Sequence, residues 1–519
     1  MAFTPTFALH RILEALGVPR PHAAGARTLA TGAGLWVVTT GLLTLIQFGT
    51  SALVGFDGYY HLRMAQLIRT VGWLPEFRWL PLTILSPANY YDHHFLYHLL
   101  LAPFAWGDPS AGGAAALALG GKIASILFAS LAFTAVWIGL RRHVRWAGIW
   151  TLGLFAVSEA FLYRMSMPRA QSASLLLLVI GFFLLAERRD GWLLPLGFVY
   201  VWMYDGFPLL LFLAGCSVVA DLAIERRLEV RPILYASLGI GLGLLVNPYF
   251  PRDLVFVAQH LLPKLGQPGI PVGNEWYPYD ARTLVTNSGL AFAALAGGLF
   301  FLGKRDGRLD RATVMSMLLA FAFGLLFLKS RRFAEYSPPF SLIFLALTAS
   351  PWLERKVKSW SSSSRRVPAI LGMLLLLPLA WTTWKARQAV ADSAPLELYG
   401  AAATWMARHS HPGEMVFQTD WDDFPRLFFY DITNAYLVGL DPTYLQLADE
   451  ALYDDWVAIT RGEIQQPGPM IAARFGAGYV FSDLDHSPFL ERAETDPALE
   501  EVYRDRTAVI YRVLPSAEP

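Results

Sequence analysis

The chain has 519 residues, of which 55% are hydrophobic and 16% charged, with a net charge of +1, and its mean hydropathy is +0.39. Soluble globular proteins carry about 25% charged residues, and the long apolar runs here are too many to be buried in one soluble interior. With no basic stripe and no interleaved aromatics, the composition excludes nucleic acid as a partner, and a single cysteine, Cys216, excludes an internal disulfide.

The stretch Met1–Thr28 is too polar and too long to precede a cleaved leader, so the first apolar run reads as a retained anchor. Apolar runs then recur at 34–54, 113–139, 147–162, 172–186, 191–204, 207–224, 232–249, 288–303, 312–328, 333–350 and 368–384. Each is long enough, or nearly so, to cross a hydrocarbon core of ~30 Å as a helix. The piece His94–Trp106 is too short and reads as an interfacial or re-entrant helix. Loop charge sets the topology. Arg11, Arg20 and Arg27 precede the first span, and alternate loops hold Arg141–Arg145, Arg188-Arg189, Arg226–Arg231, Lys304–Arg311 and Arg355–Arg366. Basic loops stay cytoplasmic, so the N-terminus is expected inside and the other loops outside.

Those outer loops hold the unusual polar residues. Asp57 opens the first, in Asp57-Gly58-Tyr59-Tyr60-His61-Leu62-Arg63. A carboxylate at a membrane edge is costly unless hydrated or paired, which marks it as a functional candidate against the plainer reading of a helix-end Asp. The same loop carries Asp92-His93-His94, a possible metal-ligand cluster or an ordinary interfacial patch. Arg164 and Arg169 flank Met165–Pro168. They anchor lipid headgroups or clamp a phosphate, for which the forked guanidinium is suited. The long stretch Pro251–Asn287 contains Gly273-Asn274-Glu275-Trp276-Tyr277-Pro278 and reads as a lid or binding loop. Lys329-Ser330-Arg331-Arg332-Phe333 places a basic cluster outside, which a phosphate ligand explains.

After Lys385 the composition turns acidic and mixed. Strand-like runs fall at Met415–Thr419, Ala435–Val438, Tyr479–Ser482 and Ala508–Val513, with helical patterns at Asp449–Arg461 and Pro469–Phe475. The expected architecture is therefore a polytopic α-helical membrane protein of about eleven spans over residues 1–384. A soluble, extracytoplasmic α/β domain follows over 385–519.

The order of these motifs resembles the catalytic subunit of oligosaccharyltransferases, within the membrane glycosyltransferases of the GT-C type. The resemblance rests on the Asp57–Arg63 stretch, on Gly273-Asn274-Glu275 with Pro278, on Arg331-Arg332-Phe333 followed by Tyr336 and Pro338-Pro339, and on Asp420-Trp421-Asp422-Asp423. It implies Asp57 and Glu275 as catalytic or metal-binding carboxylates, Arg331 or Arg332 as the donor-phosphate clamp, with Arg164 and Arg169 next, and Trp421, Asp422 and Asp423 as acceptor contacts. It also implies a divalent metal, Mg2+ or Mn2+. The family's second acidic pair is missing from Met165–Gln171, so Asp92, His93 or His94 would complete the ligand set.

The expected function is inverting transfer of a sugar or glycan from a polyprenyl-phosphate or -pyrophosphate donor to an outer acceptor, which could be protein, lipid or cell-wall glycan. The site would lie in a bacterial inner or plasma membrane. A lipid-linked-sugar flippase would instead place charges mid-span in two related halves, and a catalytically inactive glycan-binding homologue stays open.

Overall fold

The computed structural model of the chain describes residues 23–261, 270–305, 307, 309–359 and 367–515. The helical part runs α1 (Ala23–Gln47), α2 (Asp57–Thr70), α3 (Phe95–Leu101), α4 (Ala114–Leu140), α5 (Ala147–Leu152), α6 (Leu154–Val157), α7 (Glu159–Ser166) and α8 (Gln171–Ala186). It continues with α9 (Leu193–Met203), α10 (Pro208–Glu225), α11 (Arg231–Leu245), α12 (Arg252–Phe256), α13 (Ala281–Gly303), α14 (Arg311–Lys329), α15 (Ser337–Ser359) and α16 (Val367–Ala391). The C-terminal segment holds α17 (Gly400–His409), β1 (Met415–Gln418), α18 (Phe424–Tyr430), β2 (Ala435–Tyr436), α19 (Thr443–Ala448), α20 (Glu450–Thr460), α21 (Pro467–Met470), β3 (Ala477–Asp483), α22 (Ser487–Ala493), β4 (Leu499–Arg504) and β5 (Ala508–Val513).

Among the described residues six helices are long and apolar enough to cross a membrane, and a seventh if α7 and α8, bent by 112°, form one broken span. The remaining runs of the expected eleven are apolar but fold as shorter or interrupted helices. The run 147–162 is cut at Gly153 and Ser158 into α5, α6 and α7. The run 191–204 holds an 11-residue helix and 232–249 one of 15 residues. The run 333–350 begins in the turn before α15 and continues into that helix, which starts Ser337-Pro338-Pro339 and carries Glu354-Arg355-Lys356 in its last turns. Their cover differs: α15 is largely buried in protein, whereas α11 leaves Leu234, Leu238, Leu242 and Leu245 exposed. Within His94–Trp106 the helix α3 has seven residues, too few to span, as its sequence implied.

Side-chain caps fix where two spans start. Asp280 accepts the Thr283 N–H at 3.0 Å and Asp310 accepts the Thr313 N–H at 2.8 Å, satisfying backbone donors that the first turn leaves open. The first cap starts α13 seven residues before the expected run, so the Pro251–Asn287 loop is shorter than its sequence implied. Residues Pro268 and Gly269 of that loop lie outside the described residues.

The sheet has the order β2-β1-β3-β5-β4, with β1 parallel to β2 and β3, and β5 antiparallel to β3 and β4. Alternate residues feed different cores, as the two-residue period of a strand requires. Val416, Tyr479, Phe481 and Ile510 join the core shared with the helical part, whereas Phe417, Val480, Val509 and Tyr511 join a second core with Phe475 and Trp456. The first of these cores is continuous across the two parts of the chain. Phe428 of α18 packs on Tyr60, Phe77 and Trp79 at 5.8, 6.4 and 4.8 Å between ring centroids. Backbone hydrogen bonds fasten the same junction: Tyr436 N–H to Trp79 O at 2.7 Å, and Ile84 N–H to Tyr444 O at 3.1 Å. The indole N–H of Trp79 also donates to Ile432 O at 2.9 Å.

Candidate active site

A cavity of about 530 Å³ lies where α2, the α7–α8 elbow, the loop before α13, the turn before α15 and the C-terminal segment meet. Asp57 is the first residue of α2 and enters the cavity wall because its neighbour is glycine. A Cβ on Gly58 would stand 2.3 Å from Pro168 Cγ, so the missing side chain lets the elbow close on the helix start. That approach brings Arg169 Nη2 to 3.1 Å from Asp57 Oδ2. Burial raises the Asp57 carboxyl above the usual range, against the pull of Arg169.

Glu275 sits in a short 3₁₀ turn, Asn274–Trp276, held by the Ser330 hydroxyl donating to its carbonyl at 2.8 Å. Three guanidiniums converge on its carboxylate: Arg164 Nη1 at 2.8 Å, Arg169 Nη1 at 3.1 Å and Arg332 Nε at 3.4 Å. Burial alone would raise this carboxyl, but Arg169, Arg332 and Arg164 outweigh it and hold Glu275 well below the ordinary range. Arg164 also forks onto Glu335, with Nε at 2.8 Å from Oε1. Arg332 lies over the Trp276 ring at 4.5 Å. The two arms of the elbow thus supply Arg164 and Arg169, and the turn after α14 supplies Arg332.

Arg331, expected beside Arg332 as a clamp, does not line the cavity. It stacks on Tyr279 at 4.7 Å and donates to Pro278 O at 3.2 Å, which anchors the loop instead. Consecutive residues in a tight turn point different ways, so only one of the pair could face inwards. Trp421 and Asp422 do line the cavity, and Gly273 passes within contact of the Trp421 ring. Asp423 is not part of the lining; it is buried at the start of α18 beside Tyr399. Burial and then Asp420 push the Asp422 carboxyl up to about 7.

His93 and His94 reach the cavity, His93 stacked on Phe256 at 5.0 Å and His94 packed on Tyr204 at 5.5 Å. Asp92 is buried and both its oxygens are engaged, Oδ1 by the His94 N–H at 3.0 Å and Oδ2 by His98 Nδ1 at 2.7 Å. The donor set therefore does not fit the divalent metal expected of it. Asp57 and Glu275 face guanidiniums that would repel a cation, Asp92 is committed elsewhere, and among the described residues no three His, Cys, Asp or Glu side chains converge on one point. Positive charge in this cavity comes from arginine.

Sequence reading missed His61, His98, Asp205 and Glu335 as members or supports of the site. His61 follows Asp57 by four residues, a spacing that puts both on one face of α2, and this was the available signal. Nothing local distinguished Glu335, whose role depends on Arg164, 171 residues away.

No family description matches the sequence and no characterised protein sequence is similar to it at a significant level. Its fold, however, is shared with membrane glycosyltransferases of the GT-C type. The archaeal oligosaccharyltransferase AglB from Archaeoglobus fulgidus, in complex with an inhibitory peptide and a dolichol-phosphate, superposes with a TM-score of 0.64 at 14% identity, covering 94% of this chain and 75% of that one. ArnT from Cupriavidus metallidurans, bound to undecaprenyl phosphate, gives 0.52 at 15% identity over 96% of this chain and 100% of that one. The arabinofuranosyltransferase AftD from Mycobacteria gives 0.55 at 15% identity over 94% of this chain and 40% of that one.

Proposed function

We propose that the chain is an inverting membrane glycosyltransferase that moves a sugar from a polyprenyl-phosphate carrier to an acceptor on the outer face. The observation that carries this reading is the convergence of Arg164, Arg169 and Arg332 on one carboxylate beside Asp57. A phosphodiester presents a pair of oxygens that guanidinium forks can grip as they grip a carboxylate, and its charge rises from one to two as the glycosidic bond breaks. The donor phosphate displaces Glu275 from the three arginines on binding. As the glycosidic bond breaks, negative charge grows on the leaving phosphate, and the arginines stabilise it where a divalent ion would otherwise do so. Polyprenyl-phosphate lipids bound to AglB and ArnT support a lipid carrier for this fold.

Asp57 stands beside the phosphate site and stabilises positive charge developing at the anomeric carbon. Glu275, freed by the phosphate, closes the loop over the sugar. The acceptor enters from the side of Trp421 and Asp422, an aromatic face and a polar group of the kind that bind sugars and hydroxyls. Residues 1–384 form the catalytic membrane part and 385–519 the extracytoplasmic domain of a bacterial plasma-membrane protein whose N-terminus is cytoplasmic. The test is transfer of radiolabel from undecaprenyl-phosphate sugars to endogenous acceptors in membrane vesicles. Label transferred by the wild type and lost in Asp57→Ala supports the reading; no transfer from any donor of this class overturns it.

A further inference from the structure

Behind the cavity wall lies a line of three buried side chains that the reading above does not use. Asp92 Oδ2 is 2.7 Å from His98 Nδ1, and His98 Nε2 is 2.8 Å from His61 Nδ1. All three are at most 3% exposed. His98 comes from α3 and Asp92 from the turn that starts it, whereas His61 comes from α2, so packing of α3 on α2 builds the line. Tyr97 and His94 flank the His61 ring edge-on at 5.5 and 4.7 Å and fix its plane.

The chemistry of the line has a direction. A carboxylate can only accept a hydrogen bond, so His98 carries its proton on Nδ1. His98 Nε2 is then a lone pair, and His61 must donate to it from Nδ1. The remaining nitrogen of His61, Nε2, is therefore unprotonated. His61 is a member of the cavity wall, and its Nδ1 side is the one taken by His98. The line thus ends in an oriented lone pair in the cavity, one helical turn from Asp57. A structural role alone would need a donor or acceptor on the far side of the ring, and among the described residues no protein group fills it. Asp57 is paired with Arg169, and the reading above assigns it to the anomeric carbon, so the acceptor proton needs another base.

We propose that His61 is the proton acceptor of the transfer reaction, with Asp92 and His98 as positioning residues that fix its tautomer. The inference rests on the glycosyltransferase reading. The acceptor O–H is bound with its proton toward His61 Nε2. Its oxygen forms a bond to the anomeric carbon while the bond from that carbon to the phosphate oxygen breaks. The electron pair leaves with the polyprenyl phosphate, held by the arginines, and the proton moves to His61 Nε2. The resulting imidazolium is stabilised through His98 by Asp92, and it returns the proton to solvent after product leaves.

The experiment uses the full chain in vesicles with radiolabelled undecaprenyl-phosphate sugars, and measures binding of undecaprenyl phosphate separately. His61→Gln retains a donor for His98 but takes up no proton. Its single-turnover rate should fall by about 10²- to 10⁴-fold, the contribution of a positioned base, with binding of undecaprenyl phosphate unchanged. Asp92→Asn keeps the acceptor for the His94 N–H but donates to His98, reverses the line and leaves a proton on His61 Nε2. It should lose rate in the same way without losing binding, an effect that a merely structural Asp92 would not produce. Wild-type transfer that persists in His61→Gln, or a loss of donor binding that accounts for the whole defect, overturns the base and leaves the glycosyltransferase reading standing. Absence of transfer in the wild type overturns both.

Discussion

Two adjacent arginines with similar surroundings in sequence have different places in the structure, and this separates their expected effects. Arg332 lines the cavity with Nε 3.4 Å from Glu275, whereas Arg331 stacks on Tyr279 outside it. A charge-assisted hydrogen bond to phosphate contributes ~1.5–3 kcal/mol, which at ~1.4 kcal/mol per decade is a loss of about 10- to 150-fold in affinity. Arg332 makes the longest of the three contacts to Glu275 and its side chain is 24% exposed, so Arg332→Ala should fall near the tenfold end. Arg331→Ala removes an exposed cation–π contact worth ~0.5–1 kcal/mol and orders the loop less well. Its effect on donor affinity should stay below about fivefold. The assay is titration of undecaprenyl phosphate into the protein in nanodiscs, read by tryptophan fluorescence, because Trp276 lies against Arg332. Equal losses in the two variants, or a larger loss in Arg331→Ala, would refute the assignment of the phosphate site to the cavity wall.

Further outcomes are expected. Asp57→Ala should abolish transfer with little change in thermal stability, since the residue lies at a helix start beside the cavity, with its side chain 27% exposed; a turnover close to the wild-type value removes it from the site. Glu275→Gln should tighten binding of undecaprenyl phosphate, because the phosphate no longer competes with a carboxylate for three guanidiniums, and slow transfer by loosening the loop; weaker binding contradicts the displacement. Asp422 is neutral in the fold up to about pH 7, above its ordinary value of 3.8. The folded state then holds a proton that the unfolded state has lost, so stability falls as pH rises between these values. Asp422→Asn should raise the melting temperature by an amount that grows from about pH 4 to pH 7 and levels off above, and a gap independent of pH refutes the shift. Cysteines placed at Arg227 and Glu450, both exposed, should label from opposite sides of the membrane.

Composition and loop charge made the membrane class legible, because hydrocarbon imposes one strong demand on every spanning segment. Helix ends were less legible. Gly153 and Ser158 cut one apolar run into α5, α6 and α7, and α9 and α11 are shorter than the apolar runs that contain them. In the C-terminal segment four strands carried hydrophobic patterns that could be read, although β2 is shorter than its apolar run. The fifth, Leu499-Glu500-Glu501-Val502-Tyr503-Arg504, did not: β4 is an edge strand, and its charges face solvent as edge strands require. Within the site, single unusual residues were legible and partnerships were not. Asp57, Glu275, Arg164, Arg169 and Arg332 stood out by chemistry and sidedness. That Glu275 would be gripped by arginines rather than share a cation with Asp57, and that Asp92 would turn inwards to His98, depends on which helices pack together.

The aromatic junction around Phe428 and Trp79 has a consequence for anyone who would divide this protein. Phe424, Phe428 and Tyr436 of the C-terminal segment are sealed by residues of the stretch between α1 and α4, so neither half has a finished surface of its own. Cut after α16, the membrane part would expose Tyr60, Phe77 and Trp79 to water, and the released segment would present a sticky aromatic face. The two halves should melt in one transition, and a chimera with the C-terminal segment of a distant relative should succeed only when that segment brings its own match for Trp79.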